Sequence, residues 1–328
     1  MSATSANPAP PNRLLPRFAW FVVFYNVLVI VWGALVRASG SGAGCGNHWP
    51  LCNGQIIPVS PGFHTLIEFT HRMMVGGSAF FALALLVWSF RGTVKGQATR
   101  SLAVASTLLL LNEAFLGALL VKLNYVTVNQ STGRIVLLSI HLGNTLLLMA
   151  ALTLTARFLS TGQRWDDLPL TRRFVGVVEG LITTVFVGIT GSIAALGDTL
   201  FPAPSLHASI AQDLAAGSPM LLRLRLVHPA LALIAALFVI WLAARARQAG
   251  PSLTLTQHTS RIRLANLLLL LLALQFVLGI LDVLLLAPAW MQLFHLLGAD
   301  LFWIALVQLA AETLWPAAAN PETAAHFA

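Results

Sequence analysis

Apolar runs about twenty residues long recur eight times along the chain, each closed by a short basic segment or a longer Gly- and Pro-rich one. A run of that length crosses the hydrocarbon core of a bilayer as an α-helix. The pattern predicts spans at roughly 17–37, 66–90, 101–122, 134–157, 174–195, 222–244, 262–286 and 288–311. The expected fold class is an all-α membrane protein with eight transmembrane helices. In the second run, Glu68, His71 and Arg72 sit within the first turns. Positions three apart share a helix face, so Glu68 and His71 point into one pocket. Ionisable side chains are costly inside a membrane and mark functional sites by default. The bland alternative is a capping carboxylate with a His-Arg pair at headgroup level.

The two halves of the chain look alike. The second and sixth spans open with Arg and His close together, as His71-Arg72 and as Arg225 with His228. The third span carries Glu113-Ala-Phe-Leu-Gly117 and the seventh Gln275-Phe-Val-Leu-Gly279. The fourth carries His141-Leu-Gly-Asn and the eighth His295-Leu-Leu-Gly-Ala-Asp300. This predicts a tandem repeat of two pseudo-symmetric four-helix bundles. The expected organisation is a disordered tail over 1–16, an N-terminal half over 17–160, a polar linker over 161–173 that holds Pro169, a C-terminal half over 174–312 and a tail over 313–328.

Charge sets the orientation. Of nineteen Lys and Arg residues, thirteen fall on the side that carries the N-terminus when the spans alternate. The positive-inside rule then places both termini in the cytoplasm. The long loops, 38–65 and 196–221, lie outside and are expected to pack over the bundle. Only 9% of the 328 residues are charged, against about 25% in soluble domains. The formal charge of +8 is scattered over loops, which argues against nucleic acid. The N-terminal segment shows no cleavable signal and no basic amphipathic transit character, so the expected location is a bacterial inner membrane.

Four of the nine histidines fall inside spans: His71, His141, His228 and His295. Each lies in an even-numbered span, five to seven residues from its outer end, a common depth of about 7 to 11 Å. A single such His is commonly a helix contact, but four at one level, two per half, point to ligands. Zinc wants further donors at one point. Paired imidazoles in a Gly- and Leu-rich slot suit haem iron. Haem propionates need cations. The outer-side Arg37, Arg72, Arg134, Arg223 and Arg225 are the candidates, with lipid headgroups as the ordinary alternative. Glu68 has no carboxylate counterpart, because Arg225 holds the matching place. The N-terminal half is therefore assigned to substrate and the C-terminal half to cofactor.

Cys45 and Cys52 share the first outer loop, on the oxidising side where a disulfide persists. A loop staple and a redox role both stay open. Four further acids, Glu113, Glu179, Asp282 and Asp300, lie in spans. Glu113 and Glu179 are expected deep, as polar helix contacts or parts of a proton path, and Asp282 near the outer mouth.

These residues resemble one family. The stretch Gly33-Ala-Leu-Val-Arg37 through Cys45, His48-Trp-Pro-Leu-Cys52, Glu68-Phe-Thr-His-Arg72, His141-Leu-Gly-Asn, Ala195 to Pro202 with Gln212-Asp213, Leu226-Val-His-Pro229, Gln275 to Gly279 and His295 are similar to the haem A synthase family (Cox15/CtaA). The likeness covers about 18–312. It implies oxidation of the ring methyl of haem O to a formyl group through hydroxylated intermediates, giving haem A for cytochrome oxidase. It implies haem b as cofactor between His228 and His295, the substrate haem between His71 and His141, Glu68 as the essential carboxylate and Cys45 paired with Cys52. Some members carry a second cysteine pair in the later outer loop; here 196–221 has none. Haem O synthase and cytochrome oxidase assembly factors are the partners this suggests, besides membrane lipid; a homo-oligomer is left open. Two rival readings remain: a non-catalytic dihaem b-type cytochrome, and a transporter with Glu68 and His71 as a proton or metal site.

Overall fold

The computed structural model describes residues 13–161, 172–248 and 255–315. Ten α-helices follow in chain order: α1 (Leu14–Ala38), α2 (Phe63–Gly92), α3 (Ala98–Lys122), α4 (Thr132–Thr161), α5 (Arg172–Leu200), α6 (Leu206–Leu214), α7 (Met220–Arg225), α8 (Val227–Arg247), α9 (Leu255–Leu284) and α10 (Ala289–Leu314). Among the described residues, eight stretches are long and apolar enough to cross a membrane. Each matches one predicted span to within several residues at its ends. The expected tails and linker fall mostly outside the described residues. What is described of them is helix: α1 begins at Leu14, α4 runs to Thr161 and α5 starts at Arg172.

The sixth span, read as one helix, is α7 and α8 joined at Leu226. Pro229 is the cause. It has no N–H to donate and its ring crowds the carbonyl four residues back, at Arg225. The second outer segment, read as loop over 196–221, is largely helical. α5 continues to Leu200, and Leu206–Leu214 forms α6, capped by the Ser205 hydroxyl, which accepts from the Ala208 N–H at 3.2 Å.

Helices α1 to α4 close one ring of neighbours, and α5, α8, α9 and α10 close a second. The rings meet where α1 and α4 pack on α5 and α10. Polar ties hold this seam at both ends and in the middle. Arg37 of α1 donates to the Ala195 carbonyl, the Thr199 hydroxyl and Gln292 Oε1, each at 2.8 Å. The indole N–H of Trp303 donates to the Leu146 carbonyl at 2.8 Å. Arg157 and Glu312 form a buried ion pair, and Arg261 donates to the Glu312 carbonyl at 2.8 Å.

The apolar core is lopsided. Leu15, Val22, Leu85, Met149, Leu152, Phe158, Val239, Leu242, Leu268, Leu306 and Leu309 form one close-packed cluster, all toward the end where α1 begins and α10 ends. The four span histidines lie toward the other end. A small second cluster, with Ile135, Ile193, Leu196 and Leu221, is buried there. Dense packing at one end fixes the helices, and the histidine end is the looser one.

Candidate functional site

Four imidazoles organise the loose end, and each rests on a glycine of a neighbouring odd-numbered span. A methyl group added to Gly33 would stand 3.0 Å from His71 Cε1, to Gly191 2.9 Å from His228 Cε1, to Gly279 3.3 Å from His295 Cε1 and to Gly117 3.9 Å from His141 Cε1. At Gly33, Gly191 and Gly279 the missing side chain leaves room for the ring, whereas at Gly117 a methyl would make ordinary contact. Sequence reasoning quoted Gly33, Gly117 and Gly279 only as parts of motifs and passed over Gly191. Their signal was a glycine in the outer half of every odd span.

His228 and His295 face each other with ring centres 6.4 Å apart and planes at 84°. An imidazole nitrogen holds a transition metal at about 2 Å, so two rings on opposite sides of one iron have centres about 6 Å apart. His228 Nδ1 lies 3.1 Å from the Val187 carbonyl, a contact that turns Nε2 outward to a ligand position. His71 and His141 stand on α2 and α4, two helices of the same ring of four. Nδ1 of His71 and of His295 is buried without a hydrogen-bond partner. Among the described residues no hydrogen bond reaches Nε2 of any of the four, and none gathers three or more His, Cys, Asp or Glu as a bare metal ion requires. Two facing imidazoles are the donor set of an iron macrocycle, which brings its own four equatorial nitrogens, so the residues fit haem.

Glu68 is 3% exposed and fully engaged. Its Oε2 accepts the backbone N–H of Cys45 at 2.8 Å, and its Oε1 pairs with Arg72 Nη2 at 2.5 Å. Arg72 Nη1 donates to the carbonyls of His48 and Leu51, both at 2.7 Å. The loop is also tied by the Thr65 hydroxyl to the Gly44 carbonyl at 2.8 Å and by Ser41 to His64 Nδ1 at 2.9 Å. Cys45 and Cys52 form a disulfide, and both residues are buried. Gly44 packs so tightly on the His64 backbone that no side chain fits there.

The five arginines are all in use. Arg72 is neutralised by Glu68. Arg225 is buried between Asp198 (2.8 Å) and Asp213 (2.5 Å). Arg37, Arg134 and Arg223 meet neutral acceptors: Arg134 donates to the Thr127 and Asn129 carbonyls at 2.7 Å, and Arg223 to the Ala216 carbonyl at 2.6 Å.

The remaining acids separate. Glu113 is bonded by Asn144 and Thr145 and lies beside His141. Asp300 is 3% exposed with Oδ2 unpartnered, and Asp282 Oδ1 is likewise buried and unpartnered. Glu179, expected deep, is exposed instead. It sits only a turn into the span that starts at Val175, where the bundle ends.

Comparison with known proteins accords with this geometry. A protein of Thermus thermophilus named protoheme IX farnesyltransferase is 41% identical over 310 residues, 93% of this chain and 49% of the relative. Heme A synthases of Exiguobacterium sp. and Shouchella clausii are 31% identical over 182 residues (55% of this chain, 58% of the relative) and 37% identical over 131 residues (40% and 41%). The chain spans about half the length of the curated relatives it matches. The profile of the COX15-CtaA family, described as cytochrome oxidase assembly protein, matches residues 16–307. That match covers most of the chain, and with it the four histidines, Glu68 and the disulfide loop: the protein belongs to the COX15-CtaA family.

Proposed function

We propose that this protein is a haem A synthase, which oxidises the ring methyl of haem O to the formyl group of haem A. The observation that carries the reading is the facing couple His228 and His295, with a second pair of span histidines, His71 and His141, in the other half and the buried carboxylate of Glu68 one turn before His71. Relatives named heme A synthase support it. His71 and His141 hold the substrate haem by its iron and so fix which ring edge meets Glu68. Glu68, held from two sides and one turn before His71, stabilises positive charge that develops at the reacting methyl or accepts its proton. Bound between His228 and His295, haem b supplies a one-electron relay. The tandem repeat of four Gly-His contacts supports a substrate half over 17–160 and a cofactor half over 174–312.

Among the described residues no carboxylate lies within hydrogen-bonding distance of Arg37, Arg134 or Arg223, so they are the stronger propionate partners; Arg72 ties the disulfide loop to α2, and Arg225 ties α7 to α5 and α6. The basic residues support cytoplasmic termini and haem sites toward the outer face of a bacterial inner membrane. An enzyme that farnesylates protohaem is the partner that would deliver haem O, and the Thermus relative, named for that activity and matched over half its length, supports it.

The similarity of the two histidine couples favours one second reading, a dihaem b-type cytochrome that only passes electrons. Extraction of the pigments from purified protein, with chromatography and mass analysis, separates the two. Haem b with haem O, haem A or a hydroxylated form supports the synthase. Two haem b per chain supports the cytochrome and overturns the synthase.

A further inference from the structure

Glu113 has no part in the chemistry assigned to Glu68, yet its carboxylate lies against a candidate ligand. Its Oε1 is 3.3 Å from His141 Nδ1, which is buried and makes no hydrogen bond. The carboxylate is aimed. Asn144 Nδ2 donates to Oε2 at 2.5 Å, the Thr145 hydroxyl donates to Oε1, and Asn112 Nδ2 donates to Asn144 Oδ1 at 2.8 Å. Asn144 and Thr145 follow His141 by three and four residues, on the same helix face. Helix α4 thus supplies both the ring and the donors that press the carboxylate toward it.

The C-terminal half has this frame without the charge. Gln275 precedes Gly279 by four residues, as Glu113 precedes Gly117, and Gly298 follows His295 by three, as Asn144 follows His141. Gln275 Nε2 packs on Gly298 and has no hydrogen-bond partner, and neither has His295 Nδ1. One histidine couple therefore has a carboxylate behind a ligand, and the other has an amide one turn from it.

A carboxylate behind the second nitrogen of a ligating imidazole orients the ring and strengthens it as a donor. Such contacts are commonly long in structures without substrate and shorten in the working complex. We propose that Glu113 is a positioning residue for the substrate haem: it orients His141 as an axial ligand and makes the N-terminal iron site the more electron-rich of the two. This rests on the haem A synthase reading, which puts the substrate iron between His71 and His141. The competing role is a plain polar tie between α3 and α4.

The test uses full-length protein purified with its resident haem, as Glu113→Gln, Glu113→Ala and, separately, Gln275→Glu. Haemin is titrated into each and followed by Soret absorbance and low-spin electron paramagnetic resonance, and the potential of the added haem is then measured. In Glu113→Ala the affinity for added haemin falls about 10- to 100-fold, with Glu113→Gln between that and the unaltered protein. The potential of the added haem rises in both, and resident haem b keeps its content and spectrum. Gln275→Glu lowers the potential of resident haem b. A plain helix tie predicts instead that Glu113→Ala loses folded protein and both haems together, and that Glu113→Gln moves neither affinity nor potential; that result overturns the proposal. Should the Glu113 variants not fold, an unmoved haem b potential in Gln275→Glu overturns it. Unaltered protein that takes up no second haem overturns the haem A synthase reading itself, so the two failures are distinct.

Discussion

The backbone N–H of Cys45 donates to Oε2 of Glu68 across 2.8 Å. The disulfide loop and the carboxylate one turn before His71 are therefore one unit. Arg72 closes it, bonding Glu68 with one terminal nitrogen and two loop carbonyls with the other. A carboxylate buried at 3% exposure is held by hydrogen bonds rather than by water, so its direction is set by the loop.

Glu68→Gln keeps the size of the side chain and removes its charge. Haem uptake at both histidine couples should stay near that of the unaltered protein, while formation of haem A falls by about 10²- to 10⁴-fold, the range for loss of a charge-stabilising or proton-accepting group. Pigment analysis per mole of bound haem b gives the measurement; retained haem A formation would remove Glu68 from the reaction.

Removal of the disulfide separates a staple from a redox couple. Both cysteines are buried, 0% and 1% exposed, whereas reactive thiols sit in partly exposed positions. A staple is the expected role. Cross-linking residues seven apart contributes about 2 to 3 kcal/mol by chain entropy. The double variant Cys45→Ser/Cys52→Ser should unfold several degrees lower in a thermal scan and keep turnover within about tenfold at low temperature. Abolished turnover at an unchanged midpoint would establish redox chemistry instead.

Arg225, at the end of α7, is flanked by Asp198 of α5 and Asp213 of α6. Arg225→Ala leaves two acids facing each other without a cation, a loss of about 3 to 5 kcal/mol for a broken buried pair. The variant should lose haem b on purification, and Arg225→Ala with Asp213→Asn should recover part of it. Unchanged haem b content would mean that the ion pairs are not what holds α7 on α5 and α6.

The spans, their number and the four histidines were legible in the sequence because a bilayer demands about twenty apolar residues per crossing and taxes every ionisable group inside. Partners were harder to read. Arg37 was assigned from its place at a helix mouth, but its acceptors, Ala195, Thr199 and Gln292, come from the other half of the chain. The ring of His141 and the carboxylate of Glu113 sit on adjacent helices, and their meeting depends on the helix rotation that packing sets. α6 was hidden in a segment rich in Pro and Ser, where one serine acts as a cap rather than as loop. The break at Leu226 could have been read from Pro229, since only the apolar run was weighed there.

The four glycines under the histidines allow a graded test, because the space at each differs. A Cβ closer than 3.0 Å to a neighbour forces a shift, and one beyond 3.4 Å is ordinary contact. At Gly191 the new methyl would stand 2.9 Å from His228 Cε1. The ring must move, and its 3.1 Å contact with the Val187 carbonyl moves with it. Gly191→Ala should therefore lose most of the haem b signal with the helices intact. Gly33→Ala, at 3.0 Å from His71, should spare haem b and weaken uptake of a second haem by about 10- to 100-fold, the cost typical of disturbed ligand support. Gly117→Ala, at 3.9 Å from His141, should be close to neutral and gain slightly in helix propensity, by up to about 1 kcal/mol. Absorbance spectra of the three purified variants, before and after addition of haemin, check the series. Equal losses in all three would mean that the glycines serve helix packing in general rather than the seats of the individual rings.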